Sequence, residues 1–302
     1  MPTPPDAALD RRAVRRAFAR AASSYDTFAV LQREVAQRMR ERLDYVKLAP
    51  RAVLDVGCGT GESLAALATR FADAAVIGVD FALPMLARAA ARTRPRSWLA
   101  HPLARLRAAA GPVRAPALVC ADAERLPFAA ASVGAVWSNL MLQWLDDPAI
   151  ALREFARVLE DGGLAMFSTF GPDTLKEVRV AFGDDAPRVS RFVDMHDLGD
   201  ALVAAGFADP VVDMEQFTLT YATPRALFAE LKGIGATSAR GDRARGLGGR
   251  AALARAEAAL EATRRDGRIA ATFEVIYGHA WKAPPSHTRD GHAIVRFAPQ
   301  RP

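Results

Sequence analysis

Apolar residues recur at helical intervals through the first part of the chain, where Val14, Phe18, Leu31, Val35, Met39, Leu43 and Val46 fall on faces three, four or seven positions apart. The pattern breaks at "ASSYDTF", where Ser, Asp and Thr side chains can cap or turn the backbone. Two short helices are predicted ahead of the first strand. From Arg51 the period switches to strand then helix, repeatedly. "AVLDV" leads to a glycine turn and a helix near 62–70, and "AAVIGVD" leads to a helix near 83–93. "ALVCAD" and "VGAVWSNL" follow, then a helix near 148–159 and the strand "GLAMFSTF". Short apolar runs separated by helical segments are what a parallel sheet covered on both faces requires. The predicted fold is α/β, with a doubly wound, mostly parallel sheet.

Beyond Phe170 the pattern is less regular. "DLGDALVAAGF" predicts a helix closed by Gly206, "VVDMEQFTLTY" a strand, 224–262 helical segments around a Gly/Arg-rich break, and "IAATFEVIYGHAWK" a long strand. The Pro- and Arg-rich stretch at 92–116 reads as an insertion between the second core helix and the third strand. Residues 283–302 read as a loose tail.

Composition narrows the picture in three ways. A chain of 302 residues, 51% of them hydrophobic, can bury a sizeable core. No apolar run approaches the roughly 18 residues of a membrane helix, and "MPTPPDAALDRR" lacks the apolar stretch of a secretory signal, so a cytoplasmic protein without membrane association is expected. Cys58 and Cys120 are too few for a disulfide framework or a dedicated zinc site. The net charge of +6 would suit nucleic acid, but only four of the 40 basic residues are lysines and alanine is abundant throughout, which is the mark of codon bias rather than of a selected patch. Nucleic acid is not an expected partner; an acidic protein would use the same field.

The chemistry concentrates in "VLDVGCGTG", Val53 to Gly61. Gly57, Gly59 and Gly61 sit in a strand-to-helix turn, where missing side chains let a ligand lie against the backbone. Asp55 precedes them, where a carboxylate would repel a pyrophosphate and welcome a cation such as an aminoacyl group. Asp80 ends the next strand, 25 residues on, the expected place for an acid that accepts ribose hydroxyls. Two carboxylates and bare backbone suit a ligand that is a nucleoside at one end and an amino acid at the other, and S-adenosylmethionine is that ligand; a dinucleotide is the rival. Asp122 in "VCADAERLPF" can bond an adenine amino group or serve as a turn acid. Asn139 in "WSNLMLQW" stands at the crevice mouth or simply in a turn. Cys58 reads as a small loop filler.

Together "VLDVGCGTG", "VIGVD", "ADAERLPF", "SNLMLQW" and "REFARVLEDGGLAMFSTFGPDTLKE" resemble the class I S-adenosylmethionine-dependent methyltransferases. Within that class, "AFARAASSYD", "GPDTLKE", "LKGIGAT" and "ATFEVIYGHAWK" are similar to the malonyl-acyl-carrier-protein O-methyltransferases of biotin synthesis, from about Arg15 to Lys282. The resemblance implies a seven-stranded Rossmann-like sheet whose last hairpin, near 211–221 and 269–279, makes one strand antiparallel. It divides the chain into an N-terminal helical lid (1–50), a cofactor-binding core (51–170), cap helices with completing strands (171–282) and the tail. The cap would lie over the pocket, formed by helices within 171–200 and 224–262. It assigns Asp55, Gly57, Gly59 and Gly61 to the glycine loop, Asp80 to the ribose, Phe81, Asp122 and Ala123 to the adenine, and Tyr25 and Gln32 to closure over the cofactor. Tyr25 alternatively packs helices.

The implied reaction methylates the free carboxylate of a malonyl thioester on acyl-carrier protein, which would let elongation enzymes treat a diacid as an ordinary chain. A malonyl carboxylate is ionised near neutrality and needs no general base. Arg225 or Lys232 would hold it, and Arg225, Arg240, Arg243, Arg245 and Arg250 would face the acidic carrier. Two other readings share the cofactor features: a methyltransferase of another small carboxylate or metabolite, and a hydroxylase or assembly protein on the same fold.

Overall fold

A computed structural model describes residues 8–94, 115–183, 192–236 and 249–284. Most of the insertion, Arg240, Arg243, Arg245 and nearly all of the tail lie outside the described residues. Helix α1 (Arg11–Ala21) starts where the Asp10 side chain accepts the Ala13 N–H at 2.9 Å. A single turn, α2 (Tyr25–Phe28), and then α3 (Val30–Leu43) follow, so three helices rather than two precede the first strand. Four residues carry no readable period, and α2 is held by tertiary bonds instead: Ser24 Oγ donates to the Gly233 carbonyl at 3.0 Å, and Asp26 accepts from Thr60 Oγ1 at 2.6 Å.

The core runs β1 (Ala52–Val56), α4 (Leu64–Arg70), β2 (Ala75–Asp80), α5 (Leu83–Thr93), β3 (Ala117–Cys120) and β4 (Val133–Asn139). A 3-10 turn (Leu142–Trp144), α6 (Pro148–Val158) and β5 (Leu159–Phe170) complete it. Then come α7 (Lys176–Phe182), α8 (Met195–Ala204), β6 (Phe207–Tyr221), α9 (Pro224–Gly233), α10 (Gly249–Ala262) and β7 (Ile269–Lys282). The strands form one seven-stranded sheet in the order β3-β2-β1-β4-β5-β7-β6. All neighbours from β3 to β5 pair in parallel, while β7 runs antiparallel to both β5 and β6. The expected hairpin with one reversed strand is present.

Each face of the sheet buries its own apolar layer. On one side Val35 and Met39 of α3 and Leu64 and Leu67 of α4 are fully covered; on the other Leu152 and Phe155 of α6 meet Leu198 and Leu202 of α8. Each such side chain contributes about 1.5–3 kcal/mol by leaving water. Helix α8 therefore departs from the expected cap: Leu198 and Leu202, four apart on one stripe, bury it against α6 and β6 on the opposite face of the sheet. Helices α7, α9 and α10 are left to form the cap. No helix among the described residues is long and apolar enough to cross a membrane.

Candidate functional site

The chain order places a topological switch beside β1, with β2 on one side and β4 on the other, and a crevice opens there at the carboxyl ends of the strands. Asp55 is the penultimate residue of β1, Asp80 ends β2, Asp122 follows β3 and Asn139 ends β4. Sequence positions spread over 85 residues meet at one edge.

The glycine loop works differently from a phosphate cradle. Its amides are already used within the protein: Gly57 N–H and Cys58 N–H donate to the Val79 carbonyl at 2.8 and 3.0 Å, Gly59 N–H to Asp80 Oδ2 at 3.0 Å, and Gly61 N–H to the Cys58 carbonyl at 2.8 Å. Few donors remain for an anion, which counts against a pyrophosphate. What the loop offers is bare surface. At Gly59 (φ +53°) an added Cβ would meet nothing within 4 Å, so the space above it is open. Gly61 has another task from the one expected: its Cβ would lie 2.9 Å from Ala89 Cβ, so this glycine lets the loop pack on α5, and the residue does not line the crevice. Cys58 is buried filler with its thiol pushed up by burial.

Two carboxylates are buried here, and no described cationic side chain pairs with either. Burial and the nearby Asp80 charge push Asp55, 2% exposed, up to about 8; burial raises Asp80 to about 6 even though the backbone N–H groups of Ala82 and Gly59 favour its charged form. A site built this way is short of positive charge and hydroxyl donors. An ammonium beside Asp55 and a diol beside Asp80 supply both.

The lid closes the crevice. Arg11 of α1 forms ion pairs with Asp122 and Glu124, Arg92 of α5 bonds Asp26 Oδ2 at 2.6 Å, and Arg88 donates to the Ala22 and Ser23 carbonyls. Asn139 Nδ2 donates to the Gln32 carbonyl at 3.0 Å while its Oδ1 accepts from Ser168 Oγ at 2.8 Å. Asn139 is thereby a bracket between β4, β5 and α3. The next residue, Leu140, takes a left-handed backbone (φ +49°), held by Ser168, which receives its N–H.

Beneath the lid the crevice has three lobes. One is lined by Asp80, Phe81, Asp122, Ala123, Met141 and Trp144, a flat apolar slot edged with acids that suits a nucleoside. A second, smaller and polar, is lined by Asp55, Gly57, Gly59, Asp26, Gln32 and Asn139 and suits an amino-acid moiety. Gln32 Oε1 is buried there with no hydrogen-bond partner, an acceptor waiting for a donor. The third is a chamber walled by Phe18, Phe170, Phe182, Phe192, Phe228 and Phe273, with Lys232 the one charged side chain among the described residues that line it. Tyr25 lines all three. Its hydroxyl is held protonated, pushed up by burial first and then by the charges of Asp80 and Asp26.

Of the residues predicted to hold the cofactor, together with Tyr25 and Lys232, all but Gly61 line these lobes. Arg225 does not reach the chamber: it is exposed on α9 and pairs with Glu257 at 3.4 Å. Arg11, Trp144 and the phenylalanine chamber escaped sequence reading. The one available hint was aromatic content in the lid and cap, since no local spacing links Phe18 to Trp144, whose rings meet edge-on at 5.0 Å.

Comparison with known proteins identifies the family and agrees with the fold. A methyltransferase domain family matches residues 54–167. The chain is 49% identical over 298 residues to a malonyl-acyl-carrier-protein O-methyltransferase of Laribacter hongkongensis, covering 97% of each protein. It is 51% identical over 296 residues to that of a Methylovorus species, covering 97% of this chain and 96% of the relative. Among solved structures, the YcgJ protein of Bacillus subtilis aligns with TM-score 0.55 at 16% identity, over 82% of this chain and 99% of its own. Phosphoethanolamine N-methyltransferase 2 of Haemonchus contortus, in complex with S-adenosyl-L-methionine, aligns with TM-score 0.52 at 19% identity, over 87% of this chain and 57% of its own. These two likenesses concern the fold.

Proposed function

The chain belongs to the malonyl-acyl-carrier-protein O-methyltransferase family, and from that premise we propose how its residues methylate the carboxylate of a carrier-bound malonyl thioester. The observation that carries the reading is the meeting of two acid-lined lobes with one apolar chamber at Tyr25. The buried acids, the open face of Gly59 and the unpartnered Gln32 oxygen fit S-adenosylmethionine. When bound, that cofactor supplies an electrophilic methyl on a sulfonium. Asp80 would hold its ribose, Phe81, Asp122 and Ala123 its adenine, and Asp55, Gln32 and Asn139 its amino-acid end.

The chain then has three tasks toward the acceptor. Its phenylalanine chamber excludes water, which strips hydration from the carboxylate and leaves it a better nucleophile. Tyr25, whose hydroxyl is favoured in its protonated form by burial and then by the Asp80 and Asp26 charges, acts as a hydrogen-bond donor that orients the carboxylate oxygen, and not as a base. Lys232, at the chamber rim, supplies the cationic attraction that Arg225 is too distant to give. No proton has to be removed, because the acceptor is already ionised.

Incubation with methyl-labelled S-adenosylmethionine and malonylated acyl-carrier protein tests this. The expected product is the carrier plus one methyl, released as volatile labelled methanol on mild alkaline hydrolysis as a methyl ester must be. Label that stays on the protein after alkali, or label on carrier lacking malonate, contradicts carboxyl methylation.

A further inference from the structure

Helix α1 presents three faces to three environments. Val14 and Phe18 close the cofactor crevice. Ala17, Arg20 and Ala21 form one wall of a surface groove, whose other wall is Lys232, Gly233 and Gly235 at the end of α9. The third face belongs to solvent, and there Arg12, Arg16 and Arg20 stand exposed at successive four-residue intervals. Like charges at this spacing repel each other. Among the described residues Arg12 and Arg20 make no ion pair, and Arg16 reaches only Asp10, at 3.8 Å. Arg16 alone of this ridge has a carboxylate within 4 Å among the described residues.

Its position matters as much as its charge. Lys232 lines both the groove and the phenylalanine chamber, and the two are neighbours across α1 and the Gly233-Ile234-Gly235 turn: Phe18 and Ile234 line the chamber, while Ala17, Gly233 and Gly235 line the groove. A partner resting on the ridge meets, at Arg20, the groove that Lys232 shares with the acceptor chamber.

We propose that the α1 ridge and the α1–α9 groove are the docking surface for the acidic carrier protein, which seats a negatively charged helix against Arg12, Arg16 and Arg20 and delivers its tethered malonyl group past Lys232. This rests on the carrier-protein reading above. It differs from a docking face on the cap, where Arg225 is taken up by Glu257.

The test pairs direct binding with turnover. Arg12→Glu/Arg20→Glu should raise the Kd for fluorescent malonylated acyl-carrier protein, read by anisotropy, by about tenfold or more, because like charges now face the partner. The same variant should raise the KM for that substrate and leave the KM for malonyl-coenzyme A unchanged, which also shows the variant to be folded. Arg12→Lys/Arg20→Lys should restore binding. Unchanged Kd, equal changes on both substrates, or a larger loss from Arg225→Glu/Arg250→Glu on the cap would overturn the proposal. Wild-type protein that binds the carrier but never methylates it would instead overturn the functional reading, leaving the docking surface in place.

Discussion

Gly59 and Gly61 stand two positions apart with positive φ, yet a methyl group added to each meets a different fate. Gly59→Ala strains only the backbone, at about 1–2 kcal/mol for a left-handed residue, and pushes its methyl into the open crevice. It should melt only a few degrees below wild type and lose S-adenosylmethionine binding in calorimetry. Gly61→Ala adds overpacking against Ala89, about 1–3 kcal/mol more, and should lower the melting temperature much further. Reversed outcomes would move the cofactor away from Gly59.

The buried acids set a pH dependence whose sign follows from their displacement. Asp55 near 8 and Asp80 near 6, against 3.8 in an unfolded chain, mean that the ligand-free protein binds more protons folded than unfolded from about pH 4 to pH 8, so its stability falls as pH rises through that window. A cation seated beside Asp55 lowers that pKa and expels the proton. Cofactor affinity should therefore rise from pH 6 to pH 8 with net proton release, measurable by calorimetry in buffers of different ionisation enthalpy. Asp55→Asn should abolish the release and raise the ligand-free melting temperature at pH 8.

Among the elements, the lid carries the most specific consequence. Tyr25 sits in a four-residue turn whose anchoring is largely external, through Asp26 to Thr60 and Arg92 and through Ser24 to Gly233. Tyr25→Phe keeps the ring and removes the donor, so kcat should fall by the equivalent of about 1.5–3 kcal/mol, the range for a hydrogen bond to a charged group, with little change in melting temperature. Full turnover with lowered stability would make Tyr25 a packing residue. The same turn explains where element prediction stopped. Strands such as β7 and helices such as α5 announce themselves by period and were legible to within a residue or two. α2 has no period of its own, and α8 carries an ordinary apolar stripe that fits either side of a sheet; only its contact with α6 decides the side. The acids at strand ends were readable because they follow fixed turns. The chamber was not, because Phe170, Phe182, Phe192, Phe228 and Phe273 come from distant segments and share no spacing.

Over the whole molecule, β6 pairs with β7 and with no other described strand, while β7 fills the place between β6 and β5. The cap helices α9 and α10 are the connection between these two strands. A ribosome making this chain releases Tyr221 48 positions before Ile269, so until β7 emerges the growing sheet ends in the bare edge of β5, with β6 unpaired and the cap anchored at one end only. Open strand edges on a partly made chain invite pairing with other chains. Chains stopped after Ala262 should accordingly accumulate in the insoluble fraction, and a nascent chain should acquire protease resistance in β6 only after residues 269–282 have left the exit tunnel. The strand that closes the sheet is also the timer of its synthesis: the acceptor chamber lacks its Phe273 wall until β7 has been translated.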